Sequence, residues 1–187
     1  DVYKRQGHCL SINGRETEAG TTSLIKNNMF PSKQPSTLLK VDGATHTFNA
    51  MSGITHRGMS ATLSALIHDE VYAEIIGDGV HVSDDALKLF FKAKPEDKVI
   101  LISDALPITY SDMKETVFAD SKIYYDGDKA TSADGTIAGS TKLLPEIIKI
   151  LGKKGMFKPR FIENTYRYHG LEPMGEIEWD EDFNPRF

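Results

Sequence analysis

The 187-residue sequence holds a single cysteine, Cys9, and a single tryptophan, Trp179. One cysteine excludes an internal disulfide and any zinc site built from several cysteines. No run approaches the roughly 18 consecutive apolar residues that a membrane helix requires, so no membrane span is expected. Basic residues are in deficit, 22 Lys and Arg against 27 Asp and Glu, and the net charge is −5. That deficit argues against general nucleic-acid binding, which relies on a basic patch. No secretory leader is visible, so a cytoplasmic protein is expected. What is present is the balance of a folded domain. With 40% hydrophobic and 26% charged residues, the chain lies apart from disordered sequences. At this length it can bury roughly 70% of its unfolded surface, enough for a real core.

Residues 1–6, Asp1-Val2-Tyr3-Lys4-Arg5-Gln6, resemble the in-frame translation of a transposon end used to make sequencing libraries, and no Met opens the chain. They are set aside as a sequencing scar, and a fragment of a longer protein is expected. Residues 7–40 read as an irregular lead-in, rich in Ser, Thr and Asn, with Pro31 and Pro35 interrupting any helix except a short one near 21–28.

From residue 41 the pattern becomes strand, loop, helix, repeated. Residues 41–48 are β-tolerant and end in polar groups. A helix is expected over 57–68 from the spacing of Met59, Leu63, Leu66 and Ile67. A β-branched run at 71–76 leads to Asp78-Gly79-Val80-His81. Ser83-Asp84-Asp85 then opens a helix as a cap followed by acids at the positive end of the dipole. Leu87, Phe90 and Phe91 form its stripe, and Pro95 closes it. Residues 98–103 are almost wholly apolar, as suits a strand buried on both faces, and Asp104 follows. Asp126-Gly127 predicts a hairpin between 122–125 and 129–132. Residues 136–141 lead into a helix over 143–151, with Leu143, Leu144, Ile147, Ile148 and Leu151 inward and Gly152 as its stop. Ile177 and Trp179 mark a short strand in an acidic tail.

Three strands thus finish at His46, His81 and Asp104. Strands alternating with helices predict a parallel α/β sheet, and reactive groups at strand C-termini are the arrangement of a (β/α)8 barrel active site. A full barrel takes about 250 residues, so the chain is either a smaller open sheet or a piece of a barrel. Each group has a plainer reading. His46 is a zinc or iron ligand, or a polar cap on a loop. His81 faces a pocket, or closes an ordinary turn. Asp104 is a desolvated carboxylate that shuttles a proton, or an N-cap. Arg57 grips a phosphate, or is a solvated surface cation.

Taken in order, five blocks resemble the N-acetylglucosamine-6-phosphate deacetylase family of the amidohydrolase superfamily. They are Thr45-His46-Thr47-Phe48-Asn49-Ala50-Met51, His56-Arg57, the segment 72–82 ending in Gly77-Asp78-Gly79-Val80-His81-Val82, Ile102-Ser103-Asp104-Ala105, and Ile137-Ala138-Gly139-Ser140-Thr141. The resemblance covers residues 41–151 well and the tail weakly. It implies an α/β fold, the C-terminal part of a metal-dependent (β/α)8 TIM barrel, over 41–168 with an inserted hairpin near 122–132. Residues 169–187 would return toward a flanking small β-domain. The implied reaction is hydrolysis of the acetamide of N-acetylglucosamine 6-phosphate to glucosamine 6-phosphate and acetate.

The implied roles are these. His46 is a ligand of a divalent metal ion, zinc or iron, with His8 of Gly7-His8 as the candidate second ligand. Asn49 and Ala50 hold the substrate phosphate. Arg57 reaches the phosphate bound in the neighbouring subunit of a homodimer. His81 contacts the sugar, Asp104 is the catalytic aspartate, and Ala138 and Gly139 lie over the substrate. The family's metal glutamate has no counterpart here. Gly58-Met59-Ser60 stands where the family has an acid, a proline and a glycine. Two alternatives stay open: another amidohydrolase acting on a cyclic amide or aminated base, and a non-catalytic truncated half barrel.

Overall fold

A computed structural model describes residues 43–57, 60–118, 120–173 and 175–186. His8, Cys9 and the helix expected near 21–28 lie outside them. The chain divides into two units, one of Asp1–Ile75, Lys88–Ile100 and Pro159–Pro173, the other of Ile76–Leu87, Leu101–Lys158 and Met174–Phe187.

Strand β1 (Gly43–Ala44) runs parallel to β2 (Tyr72–Ile76), and β3 (Val99–Ile102) completes a sheet of order β1-β2-β3. The near-continuous apolar runs expected of a covered parallel sheet are present: Ala73, Ile75, Ile76, Val99, Ile100 and Leu101 are all buried. The strand expected over 41–48 is shorter among the described residues. The chain turns after Ala44, with His46, Phe48 and Ala50 at φ of 36°, 80° and 53°, which no extended strand tolerates.

Helix α1 (Ala61–Ile67) begins later than expected, because Ser60 caps it by accepting the Leu63 amide at 3.0 Å, which leaves Arg57 in the preceding loop. Helix α2 (Asp84–Ala93) carries Asp84 and Asp85 in its first turn, with Ser83 Oγ accepting the Ala86 amide. Leu87 and Phe90 are fully buried. A short 3₁₀ turn (Glu96–Lys98) leads into β3.

In the second unit the expected hairpin is present, and it is the centre of something larger. β4 (Glu115–Phe118), β5 (Ser121–Tyr125), β6 (Ala130–Ser132) and β7 (Ile137–Gly139) form an antiparallel sheet in chain order. Asp126 Oδ1 accepts the amides of Asp128 and Lys129 and holds the turn. Leu106, Ile108, Ile123 and Ala130 make a small core beneath the sheet.

Helix α3 (Leu144–Lys153) buries Ile147, Ile148 and Leu151, while Leu143 lies outside it and exposed. Gly152 does not stop it. A Cβ there would lie 2.5 Å from the Phe183 ring, so the glycine is a notch for that aromatic within the helix. The short strand expected at Ile177 and Trp179 is β8 (Glu178–Trp179), which takes in Trp179 but not Ile177, and it pairs with β9 (Pro185–Arg186), which the sequence pattern did not point to.

The first unit closes with an element that sequence periodicity did not point to, helix α4 (Arg160–His169), ended by Gly170 in the left-handed conformation. Its buried Asn164 donates to the carbonyls of Glu96 at 2.9 Å and Val99 at 2.7 Å, tying the helix to the start of β3. The rings of Phe161 and Phe91 stack at 5.2 Å.

Candidate active site

β2 runs out into Gly77 and Asp78. Gly77 has no room for a side chain, since a Cβ would sit 2.6 Å from Leu151 Cδ1. Asp78, 3% exposed, is surrounded by donors. Its Oδ1 accepts the amides of Val80 at 2.8 Å and His81 at 2.9 Å. Its Oδ2 accepts the Ser140 hydroxyl at 2.9 Å and stands 2.7 Å from His81 Nδ1. Gly79, at φ 79°, permits the tight reversal between them. Burial alone would push the Asp78 carboxyl up. The His81 ring and the amides of His81 and Val80 outweigh burial and hold the group well below the usual carboxylate range. The His81 side chain is 5% exposed and lies against this carboxylate.

β3 runs out into Asp104, a non-glycine residue at φ 51°. Strain of this kind costs of order 1–3 kcal/mol and persists only where its surroundings enforce it. Here the enforcement is visible: the Asp104 carbonyl accepts the Ser140 amide at 2.9 Å, and the Ser140 carbonyl accepts the Leu106 amide at 2.9 Å. Residues 105 and 140 form an isolated parallel bridge. Gly139 is packed so closely that a Cβ would lie 2.8 Å from Leu106 Cγ and 3.1 Å from the Asp104 carbonyl oxygen. The Asp104 side chain is exposed. The desolvated carboxylate expected from the apolar run is therefore not what the structure shows: the run is buried, and the chain twists the aspartate outward as it leaves the strand.

β1 runs out into the strained loop 46–50. His46 Nδ1 lies 3.1 Å from the Asn49 carbonyl. A carbonyl only accepts, so this contact favours a proton on Nδ1 and the basic lone pair on Nε2, the form in which a histidine ligates metal through Nε2. The Asn49 side chain donates to the carbonyls of His46 and Thr47, stapling its own loop. Ala50 and Arg57 are exposed.

The structure thus joins Asp104, Gly139 and His81 through Ser140 and Asp78 in the second unit. His46, Asn49, Ala50 and Arg57 belong to the first unit, and Ala138 is exposed on β7 of the second. Asp78 and Ser140 are the residues that sequence reasoning left without a role. The signal available was their place inside blocks that already held His81 and Gly139. Among the described residues no group of three or more His, Cys, Asp or Glu is gathered to hold a metal. These residues alone therefore do not fit a catalytic metal centre, which takes about three protein ligands. No helix among them is long and apolar enough to cross a membrane.

Solved structures that resemble this mixed α/β chain include deacetylases of phosphorylated amino sugars. N-acetylglucosamine-6-phosphate deacetylase from Pasteurella multocida matches 78% of this chain and 42% of its own, with TM-score 0.68 and 25% identity. The enzyme of that name from Thermotoga maritima matches 78% of this chain and 44% of its own, with TM-score 0.70 and 26% identity. Among curated proteins, N-acetylglucosamine-6-phosphate deacetylase of Bacillus subtilis is 40% identical over 98 residues, 51% of this chain and 24% of that protein. N-acetylgalactosamine-6-phosphate deacetylase of a Shewanella species is 33% identical over 98 residues, 52% of this chain and 25% of that protein. No family profile matches the chain. Over about half its length the chain is a homologue of N-acetylglucosamine-6-phosphate deacetylases, hydrolases that act on a linear amide. It spans about a quarter of the length of these curated relatives.

Proposed function

We propose that this chain is the C-terminal part of a (β/α)8 barrel enzyme of the cytoplasm that hydrolyses N-acetylglucosamine 6-phosphate to glucosamine 6-phosphate and acetate. The carrying observation is a coincidence of two things. The likeness to deacetylases falls on a stretch where β1, β2 and β3 are each followed by a group suited to that reaction: His46, His81 and Asp104.

In this reading the exposed Asp104 carboxylate takes a proton from the water that attacks the acetamide carbonyl. It then delivers that proton to the leaving nitrogen as the C–N bond breaks. The loop 46–50 receives the sugar phosphate at Asn49 and Ala50, and Arg57 supplies the charge-assisted contact to it, across a homodimer boundary. His81 and the segment 138–139 hold the sugar so that the amide meets the nucleophile in a fixed geometry. The likeness implies a divalent metal, zinc or iron. His46 is its one proposed ligand among the described residues, with His8 outside them.

The 33% identity to a galactosamine-series enzyme favours the C4 epimer as a second substrate. The test is acetate release from both phosphorylated sugars by the longer protein that carries this sequence. Turnover of N-acetylglucosamine 6-phosphate supports the reading, and no acetate from it overturns the reading; release from the C4 epimer decides the second substrate.

A further inference from the structure

Ser140 and Asp78 lie 62 residues apart in sequence, yet their side chains meet in the interior at 2.9 Å. Asp78 spends one oxygen on two backbone amides and turns the other toward two side chains, His81 and Ser140. Those amides can only donate, so the oxygen that faces them must be an acceptor. The ionised carboxylate is likewise an acceptor on its other side. His81 Nδ1 must then carry a proton, and in the neutral ring the lone pair falls on Nε2. Ser140 in turn accepts the Lys142 amide at 3.1 Å while it donates to Asp78, so its hydroxyl hydrogen is committed in direction.

We infer that Asp78, which also accepts the Ser140 hydroxyl, is the positioning residue that locks His81 in the Nδ1–H form, so that the neutral ring presents Nε2 as a hydrogen-bond acceptor to a donor group, a hydroxyl or amide N–H, of the sugar phosphate. The ligand half of this inference rests on the proposed function; the tautomer half rests on the geometry alone. The arrangement ties the ring that would touch the sugar to the segment leaving β7. The Ser140 amide also holds the Asp104 carbonyl. One serine therefore sets both the backbone of the proposed proton shuttle and, through Asp78, the orientation of His81.

The substitution Asp78→Asn discriminates this from a packing role. Asparagine has the same shape, but it has one oxygen and one NH₂. The amides of Val80 and His81 require the oxygen on their side. The NH₂ then faces His81, and it can only donate. The His81 ring nitrogen opposite it must become an acceptor, which moves the proton to Nε2. Ser140→Ala removes the second donor to Asp78 but leaves the carboxylate facing His81, so the Nδ1–H form persists.

The experiment is ¹⁵N-detected long-range correlation of the His81 ring in the purified 187-residue chain, at a pH where the ring is neutral. The expected result is a pyrrole-type Nδ1 and a pyridine-type Nε2 in the native chain and in Ser140→Ala, with the two exchanged in Asp78→Asn. A native chain with the proton on Nε2, or an Asp78→Asn chain whose tautomer is unchanged, overturns the lock. Should Asp78→Asn not fold, the native and Ser140→Ala spectra still decide it. N-acetylglucosamine 6-phosphate is then titrated into the longer protein with the same ring observed. Movement of Nε2 supports the ligand contact, and a locked tautomer with no movement overturns that contact while leaving the lock standing.

Discussion

Lys94 donates to the His68 carbonyl at 2.6 Å and to the Ala65 carbonyl at 2.8 Å, from a residue that is 3% exposed. It closes the C-terminal end of α1, whose last carbonyls have no partner within the helix. Burial pulls its ammonium group down from 10.5 to about 8, against the opposing pull of Asp69 and Glu70. The folded value is below the unfolded one, so between them the unfolded chain binds more protons and stability rises with pH. The burial penalty is present in full below about pH 8 and has vanished above 10.5. The urea midpoint of the native chain should therefore climb across that window relative to Lys94→Met, which has no such proton to lose. Parallel profiles would show that the amine is not desolvated.

Gly77→Ala should destabilise the chain by about 1–3 kcal/mol, the usual cost of overpacking a close-packed interior. The added carbon would fall within 3.0 Å of three side-chain carbons of Leu151, which is itself fully buried. Chemical denaturation measures this, and Gly77→Ala combined with Leu151→Ala should cost less than the sum of the two single changes. A neutral single substitution would mean that α3 shifts freely over the end of β2.

Arg57 is exposed, and in the proposed function it contacts the substrate phosphate. Arg57→Ala in the longer protein should raise KM for N-acetylglucosamine 6-phosphate on the order of 10- to 100-fold, the worth of a charge-assisted contact. Turnover of the unphosphorylated sugar should be low and indifferent to the change. Equal losses on both sugars would make the arginine structural.

With no group of three ligands among the described residues, the 187-residue chain should retain less than one equivalent of zinc or iron after dialysis. Elemental analysis reads this directly. A stoichiometric metal would locate further ligands in the lead-in, with His8 the first to replace.

The parts of this fold that sequence showed clearly are those decided by neighbours along the chain. β3 is legible because Val99 to Ile102 are consecutive apolar residues that have to be covered. The β5–β6 turn is legible because Asp126 and Gly127 supply the side-chain acceptor and the positive φ that it needs. His81 and Asp104 stand out because polar groups follow apolar runs. Contacts between distant residues were not legible. Gly152 reads as a stop until Phe183 is seen lying on it. Helix α4 is held by Asn164 donating to Glu96 and Val99, which no local periodicity encodes. The exposure of Asp104 follows from its left-handed backbone, and that conformation is held by Ser140, which follows β7.

The most direct test of the whole account is the rate of acetate release by Asp104→Asn in the longer protein. Because Asp104 is exposed and its anchoring to Ser140 runs through the backbone, the substitution should leave folding intact. The lost proton shuttle should slow the chemical step on the order of 10²- to 10⁴-fold with little change in KM. A correctly folded variant with near-native turnover would contradict the role given to Asp104, and with it the reading of β1, β2 and β3 as the active edge of a deacetylase.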